Sequence, residues 1–273
     1  MIIKEALRKY GQDQATLVLA YLYDCNLAWV RANQEEKISE EMEQKLETIF
    51  SKVKQGLPIQ YALGIWDFYG NSFKITPDVL IPRPETENLV DQLLSLAKDQ
   101  DHLLDIGTGS GAIAISLKLA RPDLEIEALD ISAKALDIAK ENALNLGAKL
   151  SFIQSDLFEK IDKKYDIIVS NPPYISQKDY DRLDPLLYKE PKLALLAGDK
   201  GTEIYEKIIK EAKDYLVDDG YLVFEIGYDQ ASDLKDLLTR QGYSEIKVIK
   251  DYAGHDRIIQ ARLKSYQSMR LNN

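Results

Sequence analysis

Four consecutive residues, Asn171-Pro172-Pro173-Tyr174, carry the most specific chemistry in the sequence. They follow the apolar run Tyr165-Asp166-Ile167-Ile168-Val169-Ser170, which reads as a buried parallel strand. Neither proline donates a backbone N–H, and each has a fixed φ, so the turn is stiff. The carbonyl of Pro172 is then free to point away from the sheet ladder. Asn171 contributes a side-chain carbonyl and Tyr174 a flat aromatic face. Two acceptors beside a stacking surface suit a planar NH2 group, either a carboxamide or a nucleobase amine. A plain loop after a strand has the same composition, so the choice rests on what accompanies it.

A second group lies upstream. Asp105-Ile-Gly107-Thr108-Gly109-Ser110-Gly111 joins a strand at His102 to Ile106 to a helix at Ala112 to Ala120. Glycines let backbone approach a ligand closely. Ala112 completes a Gly-x-Gly-x-x-Ala pattern, so a dinucleotide site is also to be weighed. Asp130 ends the next strand, where a carboxylate can take both hydroxyls of a ribose. Asp156 follows the third strand and is placed to accept from an adenine amine, with Leu157 and Phe158 against the ring. Each aspartate alone has a helix-capping alternative. Together, in register with the glycine loop at the carboxyl ends of adjacent strands, they point to adenosine binding.

The elements that must hold these loops follow from periodicity. From about residue 85 helices and strands alternate, which implies a mainly parallel sheet covered on both faces. The last two strands, Glu245 to Ile249 and Arg257 to Leu263, have a short link and should pair antiparallel at the sheet edge. Residues 1–56 read as a small helical domain. Asn33 with Glu36 is the expected cap of its last helix, whose apolar stripe runs from Ile38 to Val53. Residues 57–84, rich in aromatics around Gly64 and Gly70, read as a hairpin or linker, and residues 85–273 as the catalytic domain. The Pro82-Arg83-Pro84 turn leads into a helix with Glu85 and Glu87 in its first turn.

Composition narrows the chemistry. The chain has 273 residues, a net charge of -10, one cysteine (Cys25) and two histidines, His102 and His255. An acidic chain without a Lys/Arg cluster weighs against a direct nucleic-acid partner. The lone cysteine excludes an internal disulfide, and so few histidines and cysteines count against triads and metal sites. No metal is expected. No signal-peptide layout or membrane span is evident, so the expected compartment is the cytoplasm.

The ordered set of Asp105-x-Gly-x-Gly-x-Gly, Asp130, Asp156 and Asn-Pro-Pro-Tyr resembles class I S-adenosylmethionine-dependent methyltransferases. With Leu80-Ile-Pro-Arg-Pro-Glu-Thr-Glu87 and Asp251-Tyr-Ala-Gly-His-Asp-Arg257 added, essentially the whole chain resembles the HemK/PrmC family of peptide chain release factor glutamine methyltransferases. The resemblance implies a Rossmann-like seven-stranded sheet behind a small helical bundle. It implies methyl transfer from S-adenosylmethionine, leaving S-adenosylhomocysteine, to the side-chain nitrogen of the glutamine in the Gly-Gly-Gln motif of class I release factors. Such protein methylation belongs to translation termination, and the enzyme is expected to be a monomer. Gly107, Thr108, Gly109, Ser110, Gly111, Asp130, Asp156, Leu157 and Asn171 would hold the methyl donor. Asn171, Pro172, Pro173, Tyr174, Arg83 and Glu85 would meet the substrate, with Asn171, Pro172 and Tyr174 in the catalytic role. Arg83, Glu85 and Glu87 either brace the proline loop or line the substrate mouth. Leu157 departs from relatives that carry Trp there; it retains an apolar contact with less stacking. A nucleobase amino-methyltransferase acting on DNA or RNA is the alternative, since its acceptor is also a planar NH2 group. An NAD-binding oxidoreductase or a non-catalytic nucleotide module would leave the Asn171 loop without a purpose.

Overall fold

A computed structural model describes residues 1–264; residues 265–273, the end of the expected catalytic range, lie outside the described residues. The chain divides into two compact units, Met1–Ile65 and a second beginning at Trp66. Among the described residues no helix is long and apolar enough to cross a membrane.

The first unit holds five helices: α1 (Ile3–Tyr10), α2 (Gln12–Tyr23), α3 (Leu27–Ala32), α4 (Glu40–Lys54) and α5 (Ile59–Leu63). Each of the longer ones turns one apolar stripe inward. Ile3, Ala6 and Leu7, then Ala15, Val18 and Leu19, then Leu46, Ile49 and Phe50 form one core. The Tyr10 ring stacks on Phe50 at 4.3 Å. The cap of α4 is Ser39, whose hydroxyl accepts from the Met42 N–H at 3.2 Å, and not Asn33. Asn33 closes α3 instead, donating from Nδ2 to the Trp29 carbonyl at 2.8 Å. A turn at Gln34 and Glu35 follows Asn33, and Lys37 then bridges to Ile2, so the helix could not begin at Asn33.

Next along the chain is a hairpin, β1 (Ile65–Phe68) and β2 (Asn71–Lys74), turned at Tyr69 and Gly70. Both turn residues have positive φ, 49° and 72°, as a two-residue turn matching strand twist requires. A 3-10 turn, Pro84–Thr86, then leads into α6 (Glu87–Leu96). Glu85 therefore lies in that turn, and Glu87 faces back to accept from the Tyr69 N–H at 2.8 Å. The chain continues through β3 (His102–Ile106), α7 (Ala112–Ala120), β4 (Glu125–Asp130), α8 (Ala133–Leu146), β5 (Ser151–Gln154) and β6 (Tyr165–Ser170). A small insertion follows: β7 (Ile175–Ser176), α9 (Gln177–Tyr180), α10 (Lys192–Leu195) and β8 (Leu196–Gly198). The last elements are α11 (Glu203–Tyr215), β9 (Leu216–Glu225), α12 (Ala231–Arg240), β10 (Tyr243–Lys250) and β11 (Asp256–Leu263).

Seven strands form one sheet in the order β10-β11-β9-β6-β3-β4-β5. β9, β6, β3, β4 and β5 run parallel, and β10 and β11 add antiparallel at the edge. The fold is that of a Rossmann-like class I methyltransferase. Its parallel strands are apolar on both faces because both are covered. Leu103, Ile167, Val169 and Val223 pack in one core, and Leu104, Ile106, Ile168, Leu222 and Phe224 in the other. The chain winds outward from β3 to β5, then returns to place β6 on the other side of β3. That reversal leaves a crevice at the carboxyl ends of β3 and β6, the place where open α/β sheets bind ligands.

Candidate active site

Register brings the two motif loops together. Ile106 pairs with Ser170, so the glycine loop after β3 and the Asn171 loop after β6 start side by side. They flank a cavity of about 360 Å³, within the range of small-molecule sites. Gly107, Gly109, Asp130, Asp156, Leu157, Asn171, Pro172 and Pro173 all line it. Sequence reasoning missed other walls. Ile131 is 45% exposed yet lines this cavity, and Pro191 to Ala194 close it from the insertion.

Not every loop residue reaches the cavity. The Thr108 hydroxyl turns inward and donates to Asp105 Oδ2 at 2.7 Å, and Ser110 is buried beside it. The Ser110 carbonyl accepts from Asn142 Nδ2 at 2.9 Å, and the same amide bonds both backbone groups of Lys74. Asn142 thus ties the loop to α8 and the hairpin. Gly111 serves packing: a Cβ there would lie 2.6 Å from Ile115 Cδ1 and 3.2 Å from Ala139 Cβ, at φ +83°. Gly107 and Gly109, by contrast, face open space at positive φ. Thr108, Ser110 and Gly111 shape the loop, while Gly107 and Gly109 present it. Phe158 is also inside, stacked on Tyr215 at 4.6 Å, and offers no face to a ligand. The apolar cavity walls in that region are Leu157, held at φ 45°, and Ile131.

Two carboxylates set the electrostatics. Asp130 accepts from the Gly109 N–H and from the Ser132 N–H, both at 2.9 Å, so its orientation is fixed from two loops. Each oxygen keeps a lone pair for a further donor. Burial pushes its pKa up, against the pull of those backbone N–H groups. Asp105 is fully buried under the glycine turn; burial raises its pKa to about 7, and its Oδ1 has no hydrogen-bond partner. Asp130 and Asp156, beside the bare backbone of Gly107 and Gly109 and the apolar Ile131 and Leu157, fit a ligand that is flat, rich in hydrogen-bond donors and cationic. A cationic nucleoside meets that description, so the residues present suit the methyl donor expected from the sequence.

A second cavity of about 230 Å³ adjoins the first and shares Leu80, Asn171 and Ala194 with it. Arg83, Tyr174 and Glu225 add its polar lining. Asn171 therefore lies on the partition. Its Nδ2 reaches Thr86 Oγ1 at 3.4 Å and also supports the Glu225 carboxylate. With Nδ2 so committed, Oδ1 is the atom left to accept from a ligand. Tyr174 is half-buried; burial raises its hydroxyl pKa, and the nearby charge of Glu225 adds to this. The Tyr174 carbonyl accepts from Gln230 Nε2 at 3.0 Å; that amide also bonds the Gly201 carbonyl and the Gly227 N–H. Arg83 reaches the wall through an ion pair with buried Glu190 at 2.5 Å, and Glu190 also accepts from the Ile81 N–H at 3.1 Å. Glu85 is exposed and lines neither cavity. The Asp251–Arg257 segment folds on itself: Asp251 accepts from the His255 and Ala253 N–H groups and pairs with Arg257 at 3.3 Å. Among the described residues no group of three or more metal-ligating side chains could hold a metal ion.

A family model described as Methyltransferase small domain matches residues 85–189, which include the glycine loop, Asp130, Asp156 and the Asn171 loop. A second, PrmC N-terminal domain, matches residues 3–64. A methyltransferase from Pyrococcus furiosus shares the fold with a TM-score of 0.56 at 18% identity, covering 83% of this chain and 100% of that one. A release factor glutamine methyltransferase of Fusobacterium nucleatum is 40% identical over 269 residues, covering 94% of this chain and 76% of the other. One of Streptococcus pneumoniae is 42% identical over 262 residues and 94% of both chains. At 40–42% identity over 94% of its length, the chain belongs to the release factor glutamine methyltransferase family.

Proposed function

We propose that this protein methylates the side-chain amide nitrogen of a glutamine, that of the Gly-Gly-Gln motif in class I peptide chain release factors, with S-adenosylmethionine as donor. The observation that carries the reading is the place of Asn171, on the wall between a nucleoside-sized cavity and a smaller, largely apolar one into which Arg83, Tyr174 and Glu225 bring polar groups. In this reading Asp130 takes the ribose hydroxyls and Asp156 the adenine amine. Ile131 and Leu157 sandwich the base, and the Gly107 and Gly109 backbone receives the amino-acid portion. Bound there, S-adenosylmethionine supplies a methyl group on a positively charged sulfur.

An amide nitrogen is a weak nucleophile because its lone pair is delocalised into the carbonyl. Asn171 Oδ1 and the Pro172 carbonyl each accept one hydrogen of the glutamine NH2. Together they aim the nitrogen at the first cavity and hold it there. Positive charge grows on that nitrogen during transfer, so both bonds strengthen toward the transition state. The N-alkylated cation is very acidic and loses its proton afterwards, so no histidine, cysteine or metal is required. Tyr174 covers the flat face of the amide, and Arg83, anchored by Glu190, lines the mouth. Glu85 acts through charge, since it influences both Tyr174 and Glu225 without lining either cavity. The enzyme works as a cytoplasmic monomer on a protein partner, without direct contact to nucleic acid.

The test is mass spectrometry of a purified class I release factor after incubation with this protein and S-adenosylmethionine. A single added methyl group on the Gly-Gly-Gln glutamine is expected. Transfer to RNA or DNA in place of protein would refute the reading.

A further inference from the structure

Glu225 is the last residue of β9, at the end of a run of buried apolar side chains. Its carboxylate is 2% exposed, lines the second cavity, and leaves Oε2 without any hydrogen-bond partner. A buried carboxylate with a free oxygen is costly unless it has work to do. The sheet explains its position. Ser170 pairs with Phe224, so the next residues along β6 and β9, Asn171 and Glu225, are lateral neighbours at the carboxyl edge. Thr86, at the end of the 3-10 turn, completes a three-membered polar group with them.

We propose that Glu225 is a positioning residue for methyl transfer: its carboxylate holds the NH2 of Asn171, so that the Asn171 carbonyl is turned to the acceptor amide. The inference rests on the function proposed above. A side-chain amide has nearly the same shape in either of its two orientations, and only hydrogen-bond partners decide between them. An ionised carboxylate accepts only, so it selects the orientation with Nδ2 toward Glu225 and Oδ1 away from it. A protonated carboxyl carries an O–H that can donate to Asn171 Oδ1, so it no longer selects. The free Oε2 also gives the cavity a negative wall on the side where the acceptor nitrogen becomes positive.

This makes turnover depend on the charge state of Glu225. Burial raises its pKa to about 7, with Glu85 pushing it further up and Arg257, Thr86 and Asn171 pulling it down. Tyr174 and Tyr205 are the other titratable groups that interact with it, and burial holds both above the ordinary tyrosine value. Arg83 lines the same cavity. Between pH 6 and 8, Glu225 is thus the member of this group that changes charge, and the active form is the one at higher pH.

The experiment uses the full chain, a purified class I release factor and tritiated S-adenosylmethionine. Wild-type kcat should rise roughly tenfold from pH 6 to pH 8, as one ionisation near pH 7 demands. Glu225→Gln should lower kcat at pH 8 by about 10- to 100-fold, the scale of a disturbed preorganised group. It should flatten the pH profile and leave S-adenosylmethionine affinity within about twofold by calorimetry. Glu225→Gln with wild-type kcat and pH dependence overturns the inference while leaving the proposed function standing. A wild-type enzyme that transfers no methyl to the release factor overturns the function and the inference with it. Should Glu225→Gln fail to fold, the wild-type profile and that of Asp105→Asn decide together: a wild-type rate flat between pH 6 and 8, or a rise that Asp105→Asn abolishes, overturns the inference, and a rise that Asp105→Asn retains supports it.

Discussion

Asp130→Ala isolates the donor side of the site. In the wild-type protein the carboxylate is fixed by the Gly109 and Ser132 N–H groups at 2.9 Å each, and it lines the larger cavity. A ribose hydroxyl donating to it makes a charge-assisted bond worth about 1.5–3 kcal/mol. Losing it should weaken S-adenosylmethionine binding about 10- to 150-fold, at 1.4 kcal/mol per tenfold. The two backbone donors also lose their partner, so thermal stability should fall by roughly 1–2 kcal/mol. Binding S-adenosylhomocysteine should suffer equally, because the two ligands share the ribose. Isothermal calorimetry with both ligands measures the effect, and differential scanning calorimetry separates it from unfolding. With the weakened site saturated, kcat should stay within about threefold of wild type, since Asp130 acts on the bound state and the transition state alike. Unchanged affinity for both ligands would refute the ribose assignment. A kcat that collapsed at saturation would refute the separation of binding from chemistry.

The remaining predictions concern other parts of the same machinery. Asn171→Ala should reduce kcat by about 10²–10³ with little change in donor affinity, read from methyl-transfer rates and calorimetry; a wild-type rate would remove it from the mechanism. Gly111→Ala should destabilise by about 2–4 kcal/mol in urea titration, since it combines a left-handed backbone with a Cβ set 2.6 Å from Ile115; Gly107→Ala should cost less, having only the backbone term. The buried Asp105 carboxyl has its pKa raised to about 7. The folded state therefore keeps its proton between about pH 4 and 7 while the unfolded chain has released it. Stability from this group is full at the acid end of that window and declines as pH rises to 7. Asp105→Asn should make denaturant stability less dependent on pH there, with Glu225 still contributing its own part; an unaltered slope would contradict the raised pKa.

Much of the site was legible because a few positions answer to chemistry alone. Gly107, Asp130, Asp156 and Asn171 stand at strand ends, where alternation of apolar runs and helices already puts them in one row. Tertiary partners decided the rest. Thr108 and Ser110 read as ligand contacts in the sequence, but the buried Asp105 carboxylate and the amide of Asn142 hold them inward. Phe158 was expected against adenine, and Tyr215, far along the chain, claims its face. Ser39 displaced Asn33 as a cap because Lys37 is held extended against Ile2. Residues 175–198 went unread: their elements have two to four residues each, too short for any periodicity, though they wall both cavities. Glu225 left a usable signal, an acid at the end of the apolar run Tyr221 to Phe224.

Gln230 has an effect wider than its size. One side-chain amide fastens the turn after β6, the turn after β8 and the turn after β9 to each other. Widening the acceptor chamber for a bulkier amine cannot be done by trimming one wall, because three chain segments share a single rivet. Changes of specificity in this scaffold should therefore come from Leu187, Ala194 and Leu195 of the short insertion, which border the chamber and take no part in that rivet.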